Sequence, residues 1–528
     1  MVIASEEHLG LQKTRQRRHL ARPVPSCRLR RSRLQTVPGD LVGVRVWCRL
    51  AWWLCSVAFL AGCPGPQPTE DPKQIGRPDQ DVKLRLLVVG DPDLAKAISQ
   101  LEAEWNAQSG AELTVESVPD ADPIPPEKLD ADAIICASYH LGALAERSQI
   151  APLPQELMKD TTGNWSAILE LLRAQEATWR GRPMAVPMGS PVLVVYYRAD
   201  LLERLNQSPP RTWSDYQKLA ELLADRSKLG ATAVPADQPW YGTQEPLGEG
   251  WAGLMLLARA AAYATHRGNY STLFNIDTMA PLIDGPPFVR ALEELVAAAK
   301  LGPKDPTAAD PVAVRKAFWS GQCGMAITWP SATAKIPAAA GRAIRVGFAE
   351  LPGSKDVYNV SSKSWETRRE QEDPRVPLLG LAGRLGMVSS RSGSPDSARR
   401  LLFWLSDDQW SRQPKPLCAA SPEATIFRKP HLKSARQWVE EPVTPAGAAQ
   451  YAAVVEKTLS REKALRALPI PGRREYLASL DRAVHRAVRR QQSPEQALRQ
   501  AASEWEKITD RLDRAAQRRA YGHSVGVD

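Results

Sequence analysis

Val194-Val195-Tyr196-Tyr197-Arg198-Ala199-Asp200-Leu201-Leu202, followed after a short linker by Pro209-Pro210-Arg211-Thr212-Trp213-Ser214-Asp215-Tyr216, is the stretch on which the fold turns. Its first half continues the apolar run Val192 to Tyr197, whose β-branched and aromatic residues suit a buried strand. In the second half Thr212 stands three residues before Asp215, close to a capping box, and so starts a helix just after the proline pair. Strand, turn and capped helix in that order are the unit of an α/β fold.

The same alternation extends outward. Leu84 to Val89 is a short apolar run closed by Gly90-Asp91-Pro92, after which Leu94, Ala97, Ile98, Leu101 and Trp105 follow at helical spacing until Gly110. Ala131 to Cys136 reads as a further buried strand, and parallel sheets are expected. Ser493-Pro494-Glu495-Gln496 combines an N-cap, a proline at the first helical position and the reciprocal Gln. The most irregular stretch is about 350 to 380, with Pro352-Gly353 and Asp373-Pro374. Its Tyr358 and Trp365 favour a binding loop over a disordered one. No internal repeat is evident.

The amino-terminal region reads differently. Arg45 and Arg49 precede the eleven apolar residues Leu50 to Leu60, and Ala61-Gly62-Cys63 supplies the small residues and cysteine of a lipobox. Eleven residues fall well short of the roughly 20 that a spanning helix needs. Cys63 is therefore expected to become the lipidated first residue of an exported, membrane-anchored protein. Residues 1–63 are the leader and signal peptide; 1–44 serve no evident purpose in export, and translation is expected to start near Val42 or Val44. Residues 64–82, rich in Pro, Gly and charge, form a flexible tether.

Removal of the leader changes the meaning of the charge. The chain's net +10 invites a nucleic-acid reading, but residues 1–63 carry 11 Lys/Arg and three acidic residues, which leaves 58 basic against 56 acidic. A nearly neutral mature chain loses the main support for nucleic-acid binding. Of seven cysteines, Cys136, Cys323 and Cys418 remain besides Cys63 and the leader. Their wide spacing is neither a disulfide framework nor a zinc pattern, so buried small hydrophobes are expected, with their pairing open.

No chemistry is written in motifs. A phosphate-cradling loop, HExxH and GxSxG are missing, and Gly380, Gly383 and Gly386 have the wrong spacing for a dinucleotide fingerprint. His140, His266, His431, His485 and His523 are scattered singly. No cofactor or metal is expected. Tryptophan stands out instead, with 13 left after the leader. Indole offers a flat apolar face to a sugar ring. Trp105, Trp404 and Trp505 sit at periodic helix positions and belong to the core; Trp240, Trp329 and Trp365 lie in Pro- or Ser-containing loops, where ligand contact and simple packing weigh about equally.

The order of segments resembles a known family. The opening stretch is similar to the "YYN-x-DLL … PP-x-TW-x-E/D" region of extracellular solute-binding proteins of family 1, the maltose-binding-protein-like carbohydrate receptors of ABC importers. Phe318-Trp319-Ser320-Gly321-Gln322-Cys323-Gly324-Met325-Ala326-Ile327, with Thr328-Trp329-Pro330 after it, resembles their "F-x-x-G-x-x-A-M" strand entry. Gly386 to Ser390, Ser394-Pro395-Asp396-Ser397-Ala398 and Leu401 to Leu405 resemble "S-x-x-S-x-x-x-x-A-x-x-F-L", and Ser493 to Ile508 the last helix. The resemblance implies a type II periplasmic-binding-protein-like α/β fold, two lobes with a hinge and an interlobe cleft. Projected here, lobe one is 83–196 with 323–405, and lobe two 197–322 with 406–528. It also implies ligand groups on the loops of Asp91 and of Ser138 and Tyr139, and aromatic walls from Trp240 and Trp329, to which Tyr358 and Trp365 are added from the irregular stretch. The chain departs from the pattern at Cys323-Gly324 and in an apparent insertion at 354–377.

The expected function is a monomeric, lipid-anchored receptor that delivers a small solute, a carbohydrate, to an ABC permease, with no chemistry performed on it. Rival readings are a sensor of the same fold feeding a membrane kinase, and an exported carbohydrate-active enzyme.

Overall fold

The apolar run ending in Gly90 forms the strand Lys83–Val89, whose last four residues are buried because both faces of the sheet are covered. It lies second in a sheet ordered Glu112–Val118, Lys83–Val89, Ala133–Ala137, Arg384–Ser389, Ile150–Ala151, with Val186–Pro187 also paired to Arg384–Ser389. A second sheet is ordered Val346–Glu350, Val194–Arg198, Cys323–Thr328, Tyr241–Gln244. The molecule is thus a two-lobe α/β structure. The computed structural model describes residues 79–159, 165–230, 237–336 and 344–527, within a unit running from Lys73 to Asp528. The leader, Cys63 and the tether up to residue 78 lie outside the described residues.

The sheets are mixed, which corrects the expectation of parallel ones. Lys83–Val89 pairs in parallel with both neighbours, but Arg384–Ser389 runs antiparallel to Ala133–Ala137. In the second sheet Val194–Arg198 is antiparallel to both its neighbours, and Cys323–Thr328 is parallel to Tyr241–Gln244. Arg384–Ser389 returns to the first sheet from the second instead of through a helical crossover on the same sheet, so the parallel direction is not imposed on it.

Sheet membership also differs from the projected division. Residues 323–350 were expected with the first sheet, yet Cys323–Thr328 and Val346–Glu350 pair in the second. All six residues of Cys323–Thr328 are buried there, so the apolar run is a central strand and no crossover. The chain passes between the sheets at 187–194 and again before Arg384, where Leu378–Leu379 pairs with Leu465–Arg466.

Helix starts follow their sequence signals. Thr212 and Ser493 form complete capping boxes with Asp215 and Gln496. Ala252–Ala264, buried at every position, is the central helix of the second lobe; Pro286–Ala299 and Arg473–Val488 pack on it, and Pro494–Arg511 packs on those two. Gly253 lets Arg473–Val488 approach closely, since a Cβ there would lie 2.8 Å from the Leu480 Cβ. On the other face Pro311–Trp319 and Pro445–Leu459 cover Cys323–Thr328 and Val346–Glu350. Trp105 and Trp505 are buried, and Trp404 packs on Trp105 with centroids 5.2 Å apart. Cys136, Cys323 and Cys418 are free and buried, and burial pushes the thiols of Cys323 and Cys418 up to about 12.

The irregular stretch is ordered, and its middle is a hairpin. Asp356–Asn359 and Ser364–Thr367 make an antiparallel hairpin that packs on Ala252–Ala264 through Val357 and is tied by Arg290 to Asp356 and His266 to Glu366.

Candidate ligand-binding cleft

Three strands of the first sheet end side by side, and each hands a polar group to the same edge. Asp91, after Lys83–Val89, caps the helix Pro92–Ser99 by accepting from the Leu94 N–H at 3.1 Å. Asp120 follows Glu112–Val118, and Ser138, Tyr139 and His140 follow Ala133–Ala137. Arg384 opens the neighbouring strand.

These groups satisfy one another in two clusters. Asp91 accepts from the Arg384 Nε at 3.2 Å and from the Ser421 Oγ at 2.7 Å, and Arg384 also pairs with Glu423 at 3.1 Å. Burial would lower the Arg384 pKa, but Glu423 and Asp91 outweigh it and the guanidinium stays charged. Burial raises the Glu423 carboxyl against the pull of Arg384. In the second cluster Asp120 accepts from the Tyr139 hydroxyl, from the His140 Nε2 at 2.7 Å and from the Arg474 Nη2 at 2.8 Å. Burial and Asp120 push the Tyr139 phenol up, so it remains a neutral donor. Its ring lies under the Arg473 guanidinium at 4.3 Å.

The opposite wall comes from the second lobe. Trp329 donates its indole N–H to the Pro422 carbonyl at 3.1 Å, in the loop that also carries Ser421 and Glu423. Its ring packs on the half-buried Trp251, with centroids 5.3 Å apart. Trp251 is held by its flanks, because Asp481 accepts from the N–H groups of Gly250 at 2.7 Å and Gly253 at 2.6 Å. Arg315 donates to the Trp329 carbonyl at 2.7 Å. Asp91, Arg384 and Glu423 are therefore joined to Trp329 and Trp251 through the loop of Ser421, Pro422 and Glu423, and Tyr139 and Asp120 lie on adjoining strand ends.

Other expected residues are buried at this edge or lie elsewhere. Ser138 is buried, with its N–H bonded to the Gly383 carbonyl. Trp240 is a core residue: its indole N–H donates to the Leu223 carbonyl at 2.7 Å, inside the second lobe. Tyr358 and Trp365 pack on each other at 5.4 Å in the hairpin, beside Tyr263. Tyr263 is near the end of the helix that Trp251 begins, roughly 18 Å away at 1.5 Å per residue, which removes the pair from this wall. Trp329 is only 4% exposed, so Trp251 carries the more open indole face.

The model of the bacterial extracellular solute-binding protein family matches residues 91–409. The chain belongs to that family. Among solved structures, the sugar-binding protein MalE from Xanthomonas citri is 16% identical, with a TM-score of 0.60 over 82% of this chain and 99% of that one. An Agrobacterium radiobacter ABC transporter solute-binding protein in complex with ribitol is 18% identical, with a TM-score of 0.56 over 82% and 100%. Maltose-bound MalE3 of T. maritima gives 18% and 0.54 over 81% and 100%. At these identities the likeness is one of fold.

Several residues of this solute-binding protein's cleft left no motif. Trp251 follows Gly248-Glu249-Gly250 and precedes a helix whose one charged residue is Arg259, so it reads as the first residue of a core helix. Arg384 lies inside a buried strand, where an unpaired charge would be costly; that alone was its signal. Asp120 was missed because Glu112–Val118 is an edge strand with mixed burial and gives no apolar run. Among the described residues no group of three or more His, Cys, Asp or Glu could hold a metal ion, and no helix is long and apolar enough to cross a membrane.

Proposed function

We propose that the protein binds a small carbohydrate or polyol between its lobes and delivers it to an ABC permease, held at the outer face of a membrane through lipid on Cys63. The observation that carries the reading is the pairing of an indole wall, Trp251 and Trp329, with the hydrogen-bonding groups Asp91, Arg384 and Glu423 through one loop. A sugar presents a C–H face and a hydroxyl rim, and those are the two complements such a pairing offers. Structural neighbours with bound ribitol, mannitol, maltose and tagatose support it. Within this reading Trp251 is the stacking platform, Glu423 and Asp120 accept hydroxyls, and the Tyr139 oxygen, whose proton goes to Asp120, also accepts.

The tether fits the same reading. Asp79, buried, accepts from Ser397 and Arg400, and its N–H bonds the Ser109 carbonyl. The chain so enters lobe one beside the start of Lys83–Val89, about 20 Å along that strand from Asp91. The deciding experiment is a thermal-shift and calorimetric screen of the protein with maltose, mannitol, ribitol and tagatose, against amino acids and polyamines. Saturable stabilisation by a sugar or polyol is expected. Stabilisation by an amino acid or polyamine alone would replace the ligand class, and release of cleaved glycan would replace the receptor with an enzyme.

A further inference from the structure

A second cavity, of about 460 Å³, lies beyond the far end of the Ala252–Ala264 helix from the tryptophan pair. Three parts of the chain meet there: residues 174–181 beside the first sheet, 265–273 of the second lobe, and the carboxy-terminal segments 462–469 and 521–526. Its volume falls within the range of small-ligand sites.

Arg466 forms part of the wall. Its Nη1 donates to the carbonyls of Ser524, at 2.9 Å, and Thr178, at 3.4 Å, and its guanidinium lies 6.0 Å from the Trp179 ring centroid. Among the described residues no carboxylate pairs with it, and its Nε and Nη2 carry no hydrogen bond. Glu176, which acts on it electrostatically, is committed to the Ser190 hydroxyl and the Gly380 N–H. The Ser524 carbonyl belongs to the last turn of the helix Arg514–Val525, whose negative end compensates one side of the guanidinium. The Nε and Nη2 edge is left without such a partner. That edge is the fork that grips carboxylate and phosphate with two parallel hydrogen bonds.

The surroundings have the matching sign. Lys463, exposed, has no ion pair among the described residues, and Arg267 holds Glu366 and Glu372 only at 3.8 and 3.9 Å. The lining carboxylate is Glu462, and the two lining imidazoles are engaged, His523 with Glu146 and His266 with Glu366. The Thr265 hydroxyl is buried without a partner at the same wall. We propose that this cavity is a second binding site, for a small oxyanion bearing a carboxylate or phosphate group, with Arg466 as its bidentate partner and Lys463 at the rim. The walls come from both lobes, so occupancy is coupled to lobe spacing and hence to the cleft. The proposal does not depend on what the cleft binds.

Calorimetry on the full-length protein at fixed ionic strength, with inorganic phosphate, malonate and a chloride control, tests it. Saturable binding of phosphate, malonate or both is expected, the pattern separating a phosphate from a carboxylate site. Lys463→Glu and Arg466→Lys should each weaken it by about tenfold or more, that is about 1.4 kcal/mol or more. Lys463 makes no contact that folding needs, so Lys463→Glu decides the matter even where Arg466→Lys fails to fold. Absence of saturable binding by either anion, or binding unchanged in folded Lys463→Glu, overturns the site.

Discussion

Arg474, on the helix Arg473–Val488 that packs in the second lobe, donates to Asp120, at the end of a first-lobe strand, across 2.8 Å. The contact bridges the two lobes beside Tyr139, and so occupies the carboxylate that a ligand would use. Its side chains are 49% and 29% exposed, which places it among ion pairs worth about 1 kcal/mol or less to stability. Arg474→Ala should therefore leave the melting temperature nearly unchanged while enlarging the radius of gyration of the ligand-free protein in solution scattering. A scattering curve identical to wild type would show that the lobes are held together by other contacts.

Asp120 should also leave a mark on acid stability. Burial raises its pKa, but hydrogen bonds from His140 and Tyr139 and the charges of His140 and Arg474 outweigh it and hold the carboxyl well below its usual range. A carboxyl depressed in the folded state contributes stability above its unfolded pKa of about 4, and that contribution is lost as pH falls toward the folded value. Asp120→Asn should be less stable than wild type at pH 7, and the difference should shrink as urea midpoints are followed from pH 5 downward. A gap that stays constant with pH would assign the loss to packing.

A second lobe-to-lobe contact depends on the absence of a side chain. A Cβ on Gly142, in the first-lobe helix Leu141–Glu146, would lie 1.9 Å from the Pro469 carbonyl oxygen and 2.6 Å from the Trp179 ring. The carbonyl is backbone and cannot step aside alone. Gly142→Ala should cost about 1–3 kcal/mol by overpacking, read from urea unfolding, whereas Gly393→Ala, where a Cβ meets nothing within 4 Å, should be near neutral.

What the sequence made legible follows from how local each signal is. Thr212 with Asp215 and Ser493 with Gln496 placed helix starts because a cap is closed within four residues. The strand Lys83–Val89 was legible because burial on both faces demands an apolar run. Cys323–Thr328 was recognised as a strand and given to the wrong sheet, since an apolar run does not say which neighbours it pairs with. The cleft was less legible still. Asp91 and Tyr139 stand at strand ends and could be named, but their partners Arg384, Arg473 and Arg474 lie more than 290 residues further on, and only folding brings them together. Trp240 and Trp365 sat in loops by composition, and their real surroundings, the Leu223 carbonyl and the Tyr263 ring, are tertiary facts.

The tryptophans give the sharpest test of the cleft, because their environments differ while their chemistry does not. Trp251 is half-buried, faces Trp329 at 5.3 Å, and is held by Asp481 through backbone N–H groups that its own truncation leaves intact. Trp251→Ala should weaken binding of the sugar or polyol found in the screen by about 2 kcal/mol, roughly thirtyfold, as for a buried aromatic anchor. Its effect on melting should be small. Trp329→Ala removes a nearly fully buried indole with its bond to Pro422, and should lower stability by about 3–5 kcal/mol as well as affinity. Trp240→Phe forfeits the hydrogen bond to Leu223, about 1 kcal/mol of stability, together with the packing of the lost ring, and Trp365→Ala alters the hairpin at the other end of the central helix; neither should change affinity. If Trp365→Ala weakens binding and Trp251→Ala does not, the ligand lies at the hairpin and the indole wall between the lobes is packing.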